Sequence, residues 1–250
     1  MMSYDLDLKS YEKIENLFAP ITLSQNFKEK MIKSINVLHF GYLWGACREA
    51  CELVKKQQKY DDLFGLIMKI YAKRRKNHQA NFLLLHCYEN ALRSTLAVKI
   101  AKLYNKKEDN WFIRKECSRT NSTLKNLLKR VQKRYHGKEV SNTWEVFDNF
   151  YLIDLEEILI EHWSEFSSIF KELKEYKNQP LPCFGTKEHL KTKLSQIRKA
   201  RNEIFHNKPT KIKFKKDLEI LLLRLGCNLE DAINIGDIKE AIMLKFNYDI

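Results

Sequence analysis

The sequence predicts an all-α protein, and three observations carry that expectation. Only 7 Gly and 4 Pro punctuate 250 residues, too few for the turns that hairpins and short loops need. Apolar residues recur at helical three- and four-residue intervals through most of the chain, and no alternating run is long enough to defend a sheet. With 44% hydrophobic residues, the chain can bury a sizeable core as one large domain or two small ones.

Residues 1–26 read as a short amphipathic lead-in interrupted at Ala19-Pro20. Ser24 offers an N-cap for a helix expected to run from Phe27 towards Val54, on the stripe Met31, Ile35, Leu38, Tyr42, Leu43, Cys47, Ala50 and Val54. Gly41 and Gly45 lie four apart on that helix and permit close approach of another element. A polar break at Lys55–Lys59 precedes a helix over Tyr60–Tyr71, then the basic run Lys73-Arg74-Arg75-Lys76. Gln79–Tyr104 is the most strongly helical segment, with a polar stripe of His86, Glu89, Asn90 and Arg93; Glu89 and Arg93 are in the favourable i, i+4 order.

Further along, Thr120–Tyr135 reads as a basic helix ended by Gly137, and Ser141–Phe150 as a loop with a short helix. One helix is expected over Asp154–Lys174, burying Leu155, Ile158, Leu159, His162, Trp163, Phe166, Ile169, Phe170 and Leu173. Asn178–Gly185, with two of the prolines, is the clearest loop. A helix from Thr186 follows, then one over Asp217–Leu225 stopped by Gly226, and a last one from Asp237 to Phe246.

Forty-five Lys+Arg against 32 Asp+Glu give a net charge of +13, which favours a polyanionic partner, nucleic acid before membrane. The six cysteines are scattered without C-x-x-C pairs or zinc spacing, and read as reduced thiols of a cytoplasmic protein. The first residues lack the apolar core of a signal peptide, and the longest apolar runs are far too short to span a bilayer. No metal site, cofactor or membrane association is expected.

Chemistry concentrates in Arg201-Asn202-Glu203-Ile204-Phe205-His206, followed by Asn207-Lys208-Pro209. The stripe Leu190, Leu194, Ile197 continued by four puts Arg201 on the buried side, where a permanent cation needs a partner or a task. Asn202 and His206 share a face that runs back to Arg198. Pro209 forces the helix to stop near His206. Lys208, Lys211, Lys213 and Lys215 follow, a basic cluster beside the helix end that also suits a solvated loop. The bland reading of the pair is equally concrete: His206 caps the helix, and Arg201 pairs with Glu203, Glu89 or another acid. A second match, Arg130 with His136, has Val131 after the arginine and lies among lysines.

Ile197–Asn207 resembles the signature helix of HEPN (higher eukaryotes and prokaryotes nucleotide-binding) domains. The order of a helix with Glu89-Asn90-Ala91-Leu92-Arg93, an aromatic helix, a proline loop and R-N-x-x-x-H resembles their Abi-like, abortive-infection branch. The similarity covers roughly residues 70–225. It implies an up-and-down helical bundle over residues 71–226, with an N-terminal helical extension over 1–70 and a C-terminal helix over 227–250. It also implies a homodimer with metal-independent endoribonuclease activity, where Arg201, Asn202 and His206 of two copies form one composite site. Arg198 and the lysines would bind RNA, and Glu89 and Arg93 would support the site. A toxin or phage-defence role, with an antitoxin protein as partner, comes from the same resemblance. So does the alternative of a catalytically inactive RNA-binding or dimerisation module. Some HEPN toxins carry a modifiable Tyr two residues after the histidine; here that position is Lys208.

Overall fold

Helix α1 (Leu6–Phe18) buries Tyr11, Ile14 and Phe18 at three- and four-residue spacing, and a cis Ala19–Pro20 bond follows it. Helix α2 (Gln25–Val37) starts at Ser24, whose hydroxyl accepts the Phe27 N–H at 3.2 Å, as its cap preference predicts. These are among the elements of a computed structural model that describes residues 5–57, 61–105, 107–113, 122–134 and 140–229. Among those residues the regular elements are helices apart from one two-stranded hairpin, so the all-α class holds. Among them, no helix is long and apolar enough to cross a membrane.

The chain divides into two units, Met1–Asn81 with Glu203–Thr210, and Phe82–Asn202 with Lys211–Ile250. These are not the bounds drawn from the sequence at 70 and 226. In the first unit, α1, α2, α3 (Phe40–Gln57) and the start of α4 (Leu63–Tyr104) close on Tyr11, Ile14, Phe27, Met31, Leu43, Cys47, Ile67 and their neighbours. The single helix expected from Phe27 towards Val54 is broken: Leu38 is extended (φ −102°, ψ 151°), and α3 restarts at Phe40. A straight helix of that length would span about 40 Å. Only a break lets the faces of Met31 and Cys47 share one core. Burial pushes the Cys47 thiol up to about 12, so it packs as a small apolar group.

Helix α4 is also unlike the expectation, being one 42-residue helix rather than two. Lys73–Lys76 does not interrupt it, because Lys and Arg are good helix formers and no Gly or Pro follows Gly65 within it.

In the second unit, α4 from Phe82 onward packs with α5 (Ser122–Arg134), α6 (Thr143–Asp148), α7 (Leu152–Glu161), α8 (Trp163–Lys171), α9 (Lys187–Phe205) up to Asn202, and α10 (Lys215–Arg224). The expected Asp154–Lys174 helix is divided at His162 into α7 and α8. Its ring lies 3.1 Å from the Ile158 carbonyl through Nδ1 and 2.8 Å from the Tyr104 hydroxyl through Nε2. The carbonyl can only accept, so Nδ1 carries the proton and Nε2 accepts from Tyr104. Leu173, placed in the buried stripe by the sequence, lies beyond α8 and is exposed.

A two-residue ladder pairs Glu175–Tyr176 with Gln179–Pro180, the second strand falling inside the loop expected over Asn178–Gly185. Lys177 and Asn178 both have positive φ (51° and 59°), which suits a tight hairpin turn. The end of α10 follows the expected glycine stop: Gly226 has φ +86°, and the N–H groups of Gly226 and Cys227 return to Leu223 and Leu222. The helix expected from Asp237 to Phe246 lies outside the described residues, as do Cys117, His136 and Gly137.

Candidate functional site: the end of helix α9

Helix α9 buries Leu190, Leu194, Ile197, Ala200 and Ile204. The stripe therefore steps by three from Ile197 to Ala200, and Arg201 falls at its margin, not in the core as the four-residue step predicted. Its side chain is 27% exposed. Arg201 donates from Nε (3.3 Å) and Nη2 (3.1 Å) to one oxygen, Oε2, of Glu89. The other oxygen of Glu89 takes Arg93 Nη2 at 3.1 Å. Arg93 in turn donates to the carbonyls of Phe147 and Phe150. Glu89 thus sits between two guanidiniums, so the pairing named as the bland reading is the one present. Asn202 is exposed, and its Oδ1 lies 3.5 Å from Arg201 Nη1.

Arg198, one turn earlier, is held by Glu156 at 2.9 Å. Burial pushes the Glu156 carboxyl up from its ordinary value, and the Arg198 guanidinium pulls it back in part. Arg130, the arginine of the second match, is tied to Asp154 (3.0 Å) and Glu157 (2.6 Å). Lys208, Lys211 and Lys213 are exposed, and so is Lys215, which stands 3.8 Å from Glu219.

In the first unit, the chain leaves α9 through a left-handed residue. Asn207 has φ +57°, its N–H returns to Ile204 (2.9 Å), and the Lys208 N–H returns to Glu203 (2.8 Å). This is the paired closure usually made by glycine, with Asn as the tolerated substitute. Asn207 Oδ1 also accepts from Arg75 Nη1 at 2.6 Å. His206 is therefore the C-cap residue. It is exposed, and among the described residues its ring makes no hydrogen bond or ion pair.

The sequence missed a second polar cluster, in the first unit. The Tyr42 hydroxyl and His78 Nδ1 are hydrogen-bonded, and Arg75 lies 5.1 Å over the Tyr42 ring. His78 is buried. Burial, Arg75 and His39 push its imidazole below the ordinary value, and burial pushes the Tyr42 phenol up against the pull of Arg75. The signal available was the Gly41/Gly45 pair. A methyl on Gly45 would stand 3.1 Å from Arg74 Nη1, and one on Gly41 3.1 Å from the His39 ring.

No three His, Cys, Asp or Glu side chains converge as a metal-ligand set among the described residues. Comparison with protein-family models, with curated proteins and with solved structures finds no match for this chain.

Proposed function

We propose that the chain is a metal-independent endoribonuclease of the HEPN type, acting as a homodimer and serving as a toxin or phage-defence effector. The observation that supports this reading most is the state of His206. Its imidazole, a group able to take or give a proton, stands exposed at the cap of α9, five residues after an arginine fixed by an acid, and among the described residues makes no hydrogen bond or ion pair. In the reaction, His206 of one copy takes the proton of a ribose 2′-OH. The 2′-oxygen attacks phosphorus, the bond to the 5′-oxygen breaks, and the protonated His206 of the second copy delivers a proton to that leaving oxygen. The products are a 2′,3′-cyclic phosphate and a 5′-hydroxyl. Arg201 meets the extra negative charge on the phosphorane with its planar fork, which a lysine would not reproduce. The exposed lysines Lys208, Lys211, Lys213 and Lys215 hold the strand by its phosphates.

One observation favours the second reading, a catalytically inactive RNA-binding or dimerisation module. Two of the three guanidinium nitrogens of Arg201 are already engaged by Glu89.

Incubation of the purified chain with total RNA in EDTA, beside Arg201→Ala and His206→Ala, separates the two. Cleavage by the parent alone, leaving cyclic phosphate ends, is the expected result, with growth arrest on induction relieved by His206→Ala. Equal cleavage by all three indicates a contaminant, and cleavage by none leaves the binding module.

A further inference from the structure

The first unit contains a cavity of about 200 Å³ that the proposed chemistry does not use. Tyr42 of α3, Arg74, Asn77, His78 and Asn81 of α4, and Ile204, Pro209 and Thr210 on either side of His206 line it. Among the described residues its ionisable lining is Arg74, His78 and Tyr42, with no carboxylate, so it suits a ligand that is neutral or anionic. Arg74 lies flat against Gly45 and is paired with Glu49 through Nε and Nη2, which leaves Nη1 uncommitted to that acid. Asn77 and Asn81 are four apart on one face of α4, and each presents an acceptor and two donors.

His78 adds a third hydrogen-bonding side chain to the lining. It is 8% exposed and lines the cavity. Its Nδ1 is hydrogen-bonded to the Tyr42 hydroxyl, which leaves Nε2 as the ring's second hydrogen-bonding position. A planar ring bearing hydrogen-bonding edges would pair with Asn77, Asn81 and His78, with Ile204 and Pro209 as its apolar lining. The volume is below the ~300–1,000 Å³ of sites that enclose drug-sized ligands, and matches one ring system with its tail left outside.

We propose that this cavity holds a single nucleotide of an RNA strand, its base read by Asn77, Asn81 and His78 and its phosphate met by Arg74. The assignment to RNA rests on the nuclease reading; the nucleotide chemistry rests on the cavity alone. The test is calorimetric titration of the full chain with each of the four ribonucleoside 5′-monophosphates and with inorganic phosphate, and cleavage assays on the same preparations. At least one monophosphate should bind 10-fold or more tighter than phosphate. Asn77→Ala and Asn81→Ala, both compatible with the helix, should each weaken it about 5-fold or more. Two results overturn the proposal: no monophosphate binds more tightly than phosphate, or binding is unchanged in both variants. Nucleotide binding without any RNA cleavage removes the nuclease and keeps the pocket. Cleavage that proceeds identically in the asparagine variants, with no nucleotide bound, removes the pocket and keeps the nuclease.

Discussion

Arg201 and Glu89 can be separated by a double-mutant cycle, using Glu89→Gln and Arg201→Met, which keep side-chain volume while removing charge. Exposed ion pairs contribute about 0–1 kcal/mol, and breaking a fully buried one costs about 3–5 kcal/mol. This pair lies between those limits, with side chains 27% and 14% exposed. Both guanidinium contacts fall on a single carboxylate oxygen, weaker than a two-oxygen fork. A coupling energy of about 1–2 kcal/mol follows. Glu89→Gln alone should cost more, about 2–3 kcal/mol, because Arg93 loses the same partner. Urea unfolding followed by circular dichroism reads these values. At an m-value of about 2–3 kcal/mol/M, 1.5 kcal/mol shifts the midpoint by about 0.5–0.8 M. A coupling below about 0.5 kcal/mol would show that the two side chains act independently, and the account of Arg201 as a fixed cation would be wrong.

Arg224 is 1% exposed, yet it donates to the carbonyls of Pro182, Ile169, Glu172 and Leu181, two of them at the C-terminal end of α8. Arg224→Met strips those acceptors of their donor and should cost about 3–5 kcal/mol, read as a thermal or urea midpoint; a loss under about 1 kcal/mol refutes that role. His78 makes stability depend on pH. Its folded pKa is lowered by burial, Arg75 and His39, so as pH falls through about 6.5 the unfolded chain binds the proton first and stability drops. His78→Gln should flatten the decline in unfolding free energy between about pH 7.5 and 5.5; an unchanged slope sinks the assignment.

Local chemistry wrote much of the fold into the sequence. The helical class, the Ser24 cap, the Gly226 stop and the end of α9 before Pro209 all depend on residues within a turn or two of each other. The same local logic failed where two structures were locally equal. The apolar stripe of α2 continues into α3 without interruption, so nothing nearby marks the break at Leu38, and the division at His162 depends on a tyrosine 58 residues away. The basic run in α4 looked like a boundary because its partners, Glu49 for Arg74 and Asn207 for Arg75, are distant in the chain.

At the candidate site, the sequence determined which groups are present: a guanidinium, an amide and an imidazole at one helix end, among lysines. Tertiary structure decided what each of them meets. It set Arg201 against a carboxylate 112 residues away, left His206 at the surface, and buried Tyr42 with His78 in a cluster that no motif marked. A helix period fixes only which side chains share a face. What stands opposite that face, and so whether a charge is spent on a neighbour or left for a ligand, depends on where the rest of the chain folds back.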